Sequence, residues 1–427
     1  MREELIRKSR LLFFNLFLVQ HLMFPKTKNM KNTKNNSELI LEYTDPVEGF
    51  KGWLVIDSMT HRLAAGGLRV QQGLTCECVQ RLAATMTLKM RIAGIRADGA
   101  KSGIDYDPSS PGKHEALFRF IRAIKPYMEE RYSMGPDLNT TMPELDAVCQ
   151  RLGLPSIKHA VAKNQQLDEM AFAQRTDLLT TPVGHATLGR LRSGAGVSAS
   201  CLAMLEFLGI PPQKGTVAIQ GFGGLAAGAA YFLHQAGVRI VGLADREKSL
   251  VSINGTPLDI SSLLAAQKEG EQGMIPTANN PKAVYADNTK IYDLSCDIFV
   301  PAAIERAVDK EVAEHIQVKA IASGANLAVT EEAEQILHER AIPVIPDMVA
   351  GCGGSLSMEG LYGPENLPTA EEVLAHVDRK TRNIVTTMLQ RSQQDNISPR
   401  EAALRLCAEA PLYPDSKPYV PLAEQIA

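Results

Sequence analysis

What the sequence lacks narrows the possibilities first. Forty-five Lys and Arg against 48 Asp and Glu leave a formal charge of −3, which gives no electrostatic reason to expect nucleic acid or an anionic membrane as a partner. The seven cysteines are odd in number and scattered, with no C-x-x-C pair. Neither a disulfide framework nor a structural zinc site is indicated, no metal is expected, and a reducing, cytoplasmic setting fits. An apolar run long enough to cross a bilayer is also missing. Leu11 to Phe24 is broken by Asn15, Gln20 and His21 and falls short of the ~20 residues a spanning helix needs. Arg2, Arg7, Lys8 and Arg10 make a signal-like n-region, but the following Pro25-Lys-Thr-Lys is no small-residue cleavage site. Residues 1–37 are read as an N-terminal extension. The leading explanation is that translation begins at Met30 and that residues 1–29 are not part of the functional protein. A targeting segment or an interaction helix is the alternative.

What is present is an ordinary globular composition, 45% apolar and 22% charged over 427 residues, enough for two domains and a large core. Residues 38–70 read as strands (ELILEY, GWLVID, LAAGGLRV) separated by turn residues such as Asp45-Pro46. Helices are expected over 76–90, with Thr75 as N-cap, and over 114–132 and 142–151. Residues 152–194 read as a connection, with a new helix from Val197 to Leu208. Further short apolar runs, CDIFVPAA, KAIASGANL and IPVIPD, alternate with helical segments, as a parallel sheet requires. The tail reads as helical from Ala370 to about Arg391 and again from Pro399 to Glu409, with its charges on a solvated face.

Two stretches carry chemistry. Met86 to Ile104 (MTLKMRIAGIRADGAKSGI) holds Lys89 and Lys101 among mostly apolar residues. A lysine stripped of water there has a lowered pKa, and can polarise a carbonyl or exchange a proton near neutral pH. Thr216 to Asp245 runs strand (TVAIQ), turn (Gly221, Phe222, Gly223, Gly224, Leu225, Ala226), helix and second strand, ending on an acid. That spacing suits a pyrophosphate at the helix N-terminus and a ribose 2′-OH on Asp245.

In order, Gly66-Gly67-Leu-Arg69, the M-T-x-K of Lys89, the G-A-K of Lys101, GPDLNT (135–140) and this nucleotide motif resemble the glutamate/leucine/phenylalanine/valine dehydrogenase family. The likeness covers roughly residues 38–365. It implies an α/β fold with an N-terminal substrate domain, a Rossmann-type dinucleotide-binding domain and a catalytic cleft between them. The expected boundaries are 38–185 for substrate, catalysis and oligomerisation, 186–350 for NAD(P), and 351–427 for helices returning to the first domain. The implied activity is NAD-dependent oxidative deamination of an L-amino acid to a 2-oxo acid by a homo-oligomer, with NADP possible because Arg246 and Lys248 follow Asp245. The resemblance makes Lys89 the α-carboxylate anchor, beside Gly66 and Gly67, Lys101 the catalytic lysine, Asp137 the proton-transfer carboxylate, and Asn326 and Ser193 neighbours of the cofactor.

Departures from the pattern bear on the substrate. Glutamate-specific members carry a lysine directly before the two glycines, where this chain has Ala65, so glutamate becomes the alternative substrate. Ala65, Gly135, Ser355 and Met358 match the side-chain pocket of the leucine/phenylalanine/valine branch, and three of the four are small. That implies a bulky apolar side chain. Arg96-Ala-Asp98-Gly stands where the family has P-x-G-G before its A-K, and Gly351 stands where it has Asn. A nucleotide-binding regulatory or assembly protein with weakened catalysis is the competing reading.

Overall fold

The computed structural model describes residues 37–184, 186–267, 273–276 and 283–420. The expected N-terminal extension, all but its last residue, lies outside them. The first sheet comprises β1 (Leu39–Thr44), β2 (Lys51–Ile56), β3 (Ala64–Val70), β4 (Asp98–Ile104) and β5 (Tyr132–Pro136), in the order β1-β2-β4-β3-β5. β1 is an edge strand and alternates half-buried and exposed residues, whereas β4 is buried at every position. The helix Cys76–Ala93 connects the parallel strands β3 and β4. Thr75 caps it by accepting from the Cys78 amide, and Gly94 ends it in the left-handed region at φ +70°, where glycine has no steric penalty.

A two-stranded ribbon of β6 (Pro182–Val183) and β7 (Ala186–Thr187) precedes the second sheet. That sheet contains β8 (Thr216–Gln220), β9 (Arg239–Ala244), β10 (Lys248–Ser252), β11 (Ala283–Asp287), β12 (Cys296–Pro301), β13 (Val318–Ala322) and β14 (Val344–Ile345). Its order is β11-β10-β9-β8-β12-β13-β14. β9, β8, β12, β13 and β14 are parallel. The order reverses about β8, the topological switch point where open α/β sheets take their ligands. Val197, Met204, Ile219, Phe222 and Ala226 share one core with Val385 and Met388 of the C-terminal helix Ala370–Asp395.

Three elements differ from the sequence reading. The second helix spans Lys113–Glu130, and Tyr132–Pro136 is strand β5. Pairing with β3, together with a buried bond between the Tyr132 and Ser102 hydroxyls, overrides the helical pattern there. A helix starts at Leu188, nine residues before the expected Val197, and runs to Phe207. Its glycines suggest a loop, but they are where backbones touch. A Cβ on Gly194 would come 2.3 Å from the Ala229 amide nitrogen, and one on Gly196 2.7 Å from the Gly353 Cα. The second sheet is also mixed, because β10 and β11 run antiparallel.

Candidate active site

The site is assembled by close passages of backbone that only glycine allows. A Cβ on Gly66 would lie 1.6 Å from the Ala100 carbonyl oxygen, and one on Gly67 would lie 2.8 Å from the Asp137 Cβ. On β4, Gly99, Lys101 and Gly103 share one face by strand alternation. The helix Cys76–Ala93 sits directly on Gly99, whose Cβ would come 2.1 Å from the Thr87 amide nitrogen. The Gly99 amide donates to Thr87 Oγ1, which donates in turn to Asp57 Oδ2. This docking brings Lys89, two residues further along the helix, beside Lys101.

Lys101 is 2% exposed, and its Nζ lies 2.8 Å from Asp137 Oδ1. The other carboxylate oxygen, Oδ2, accepts from Arg69 Nε at 2.7 Å. Asp137 stands just past the end of β5. Its amide donates to Thr140 Oγ1, whose hydroxyl reaches the Leu68 carbonyl, and the turn is completed by Asn139 at φ +61°. Burial acts to raise the Asp137 pKa, but the Lys101 ammonium and the Arg69 guanidinium override it and hold the carboxyl well below the usual range. Asp137 is therefore ionised, as a proton acceptor must be.

Lys89 is also buried. Burial pushes its pKa down, as does the Lys101 charge, against the pull of Asp347. Its Nζ donates to Asn326 Oδ1 at 2.7 Å. A Cβ on Gly351 would lie 3.0 Å from that same Nζ, so the glycine in the family's Asn position leaves room for the lysine. A second contact joins the same two halves of the cleft, from Arg69 Nη1 to Glu305 Oε1 at 2.6 Å.

Of the other residues singled out, Gly66 and Gly67 lie on β3 opposite Met134 and Gly135 of β5. Ala65 packs in one apolar cluster with Met358, and Ser355 and Met358 lie on the helix Gly353–Tyr362. Ser193 lies within the helix Leu188–Phe207, with its Oγ 3.0 Å from where a Cβ on Gly354 would be.

In the nucleotide motif, Gly221 has φ +118°. Phe222 is buried, and its carbonyl accepts from Gln267. Gly223 is the N-cap of the helix Gly224–Gln235, without a side-chain cap and with nothing within 4 Å of a built Cβ. Leu225 and Ala226 fall in its first turn. Among the described residues the turn therefore presents amide donors without partners, and it fits a dinucleotide's pyrophosphate. Asp245 lies just after β9 and accepts from the Glu247 and Lys248 amides on Oδ1 and from the Ile275 amide on Oδ2. Both oxygens of this buried carboxylate are thus engaged by backbone amides, so Asp245 builds its own turn and would reach a ribose only by giving up one of these bonds.

Sequence reasoning missed four participants. Glu305 lies 236 residues from Arg69, and Asp347, which accepts from the Leu327 amide, acts on Lys89 from a similarly distant segment, so no local pattern announces either. Lys158 and Arg192 are the others. Lys158 precedes the helix His159–Gln165, and its Nζ lies 3.5 Å from a Cβ built on Gly135. Arg192 reaches the Gly354 carbonyl and the Ser357 hydroxyl. Each reads in sequence as an unremarkable surface cation.

Comparison with known proteins agrees with this fold. The family model described as Glutamate/Leucine/Phenylalanine/Valine dehydrogenase matches residues 189–410, and that of the Glu/Leu/Phe/Val dehydrogenase dimerisation domain matches residues 38–152. Glutamate dehydrogenase of Thermotoga maritima is 31% identical over 324 residues, which are 72% of this chain and 71% of that protein. NAD-specific glutamate dehydrogenase of Staphylococcus aureus is 29% identical over 364 residues, 82% of each chain. The hetero-hexameric glutamate dehydrogenase of Thermus thermophilus, solved in a leucine-bound form, has the same fold. Its TM-score is 0.68 at 22% identity, over 87% of this chain and 86% of that one.

Proposed function

Because the chain belongs to the glutamate/leucine/phenylalanine/valine dehydrogenase family, we propose that it oxidatively deaminates an L-amino acid, with NAD as the hydride acceptor. The observation that carries this reading is the buried Lys101–Asp137–Arg69 cluster beside Lys89, where both halves of the cleft meet. In the overall reaction, amino acid, NAD⁺ and water give 2-oxo acid, ammonium, NADH and one proton. Lys89 takes the α-carboxylate, displacing the Asn326 amide. Asp137 accepts a proton from the α-ammonium, freeing the nitrogen lone pair. Once the α-carbon has given up its hydride and the nitrogen lone pair has formed the C=N bond, Lys101 polarises water for attack on that imine and stabilises the carbinolamine before ammonia departs. Gly221, Phe222, Gly223, Gly224, Leu225 and Ala226 would hold the dinucleotide, with Asp245 on the adenosine ribose and Asn326 and Ser193 toward the nicotinamide end. When bound, the nicotinamide supplies the hydride chemistry.

Ala65 and Met358 support an apolar side chain, and Lys158 supports a charged one, which is taken up below. A homo-oligomer assembled through the first sheet is part of the same reading. The match of the dimerisation-domain model to residues 38–152 and the exposed edge strand β1 support it. A cytoplasmic setting fits the seven free cysteines. No helix among the described residues is long and apolar enough to cross a membrane.

The test is NADH absorbance, followed with a panel of L-amino acids against NAD and NADP, and in reverse with 2-oxo acids and ammonium. We expect turnover in both directions and a higher kcat/KM with NAD than with NADP. NADH binding without turnover of any substrate would favour the regulatory reading, which the replacement of the family's Asn by Gly351 supports.

A further inference from the structure

Two buried cations that the reaction does not use lie at the residues expected to shape the side-chain pocket, Lys158 at Gly135 and Arg192 at Gly354 beside Ser355. The Lys158 residue is 6% exposed, and its Nζ approaches Gly135 of the pocket wall. That Nζ has no hydrogen-bond or ion-pair partner among the described residues. The Arg192 charge acts on it. Asp146 also acts on it, but that carboxylate is engaged by the Ser156 hydroxyl and the Ile157 amide. Arg192 is 8% exposed, and its Nε is buried without a hydrogen-bond partner. Its Nη1 is held by the helix that carries Ser355 and Met358. Ser133, two residues before Gly135 and so on the same face of β5, buries a hydroxyl that also lacks a partner. β3 places the uncharged Ala65 opposite it.

A buried charge left without an opposite partner costs several kcal/mol, and here two of like sign act on one another. Such a pair is completed by an anion that arrives from outside. We propose that Lys158 and Arg192 form an anion-binding subsite for a negatively charged group at the end of the substrate's side chain, making an acidic L-amino acid the preferred substrate. The inference rests on the reading of the active site above, and it moves side-chain recognition away from the position of Ala65 to a different wall of the pocket. Ala65 and Met358 then line the methylene part of the side chain, where apolar contact is what an acidic amino acid needs. Burial and the Arg192 charge bring the Lys158 pKa down to about 7, so a bound carboxylate draws a proton onto this lysine.

The experiment compares kcat/KM for glutamate, aspartate and 2-aminoadipate with that for glutamine, leucine and phenylalanine, in the wild type and in Lys158→Met and Arg192→Met. In the wild type the best acidic substrate should exceed every neutral one by about tenfold or more. Each substitution should lower its kcat/KM by at least about tenfold, the scale of losing one partner of a buried charge pair, and should lower the acidic-to-neutral ratio with it. Thermal-shift titration with glutarate, a diacid that is not turned over, gives a readout independent of catalysis. It should stabilise the wild type more than valerate does, and Lys158→Met should erase the difference. Turnover with leucine or phenylalanine preferred would overturn the subsite and leave the dehydrogenase reading intact, as would indifference of the acidic-to-neutral ratio to both substitutions. Lys158-dependent glutarate binding without any turnover would do the reverse.

Discussion

Asp137 is held by two cations at once, and the pair it makes with Lys101 is the smallest unit of the proposed chemistry. Substituting Lys101→Ala leaves Asp137 still paired with Arg69, so the fold should persist while water activation is lost. We expect turnover to fall at least a hundredfold, roughly 2.7 kcal/mol or more in the barrier, with NADH affinity by fluorescence titration unchanged. Retention of more than about a tenth of kcat, a loss of only ~1.4 kcal/mol, would rule Lys101 out. Lys158 makes a second residue-level prediction, with its sign set by linkage. Its folded pKa of about 7 lies below the ~10.4 of an unfolded lysine. Between those values the unfolded chain holds more protons, so stability rises with pH. The penalty of burying this charge is complete below about pH 7 and gone above about pH 10. Lys158→Met should therefore raise Tm at roughly pH 6 by at least about 2 °C, and the gain should shrink toward roughly pH 10. A Tm that falls at both would mean the ammonium stabilises the fold.

At the level of elements, two glycines with different surroundings separate folding from binding. Gly66→Ala drives a methyl into the Ala100 carbonyl oxygen and must push β3 from β4. A loss of more than about 3 kcal/mol, or no soluble protein, is expected. Gly223→Ala meets nothing within 4 Å and has an extended backbone with φ −73°. It should leave Tm within about 2 °C, a fraction of a kcal/mol, yet weaken NADH binding severalfold by placing a methyl where a pyrophosphate must approach. The opposite pattern, a stable Gly66→Ala or an unfolded Gly223→Ala, would show that these turns are misread.

The elements that were legible in sequence are those whose signal is local. Thr75 and the apolar period placed the helix that carries Lys89, while the strand–glycine–helix–strand order placed β8 and β9. β5 was hidden because its stability comes from pairing with β3, some 70 residues away, and the start of the helix at Leu188 because its glycines serve packing. The same division holds in the site. Lys89, Lys101 and Asp137 could be found from short motifs in order. Glu305, Lys158 and Arg192 could not, since what makes them special is the company brought by folding.

For the whole molecule, the contacts across the cleft matter most. Arg69–Glu305 and Lys89–Asn326 tie the first sheet to the second. Glu305→Ala removes one tie and leaves Arg69 with Asp137, so the ligand-free protein should populate a wider cleft. Its radius of gyration by solution scattering should exceed that of the wild type, and NADH with substrate should close the gap. An unchanged radius would mean the ion pair does not hold the halves together.

The Lys89–Asn326 bond also turns binding into an exchange. On the proposed mechanism the anchor already holds an amide oxygen, which the substrate has to displace. A carboxylate is better, since a hydrogen bond between two charged groups is about twice as strong as one to a neutral acceptor. An amino-acid amide, or the amine left after decarboxylation, offers the lysine no more than it already has. On this mechanism the protein thus carries its own reference compound, and would reject visitors that lack an α-carboxylate by offering them no gain rather than by shutting them out.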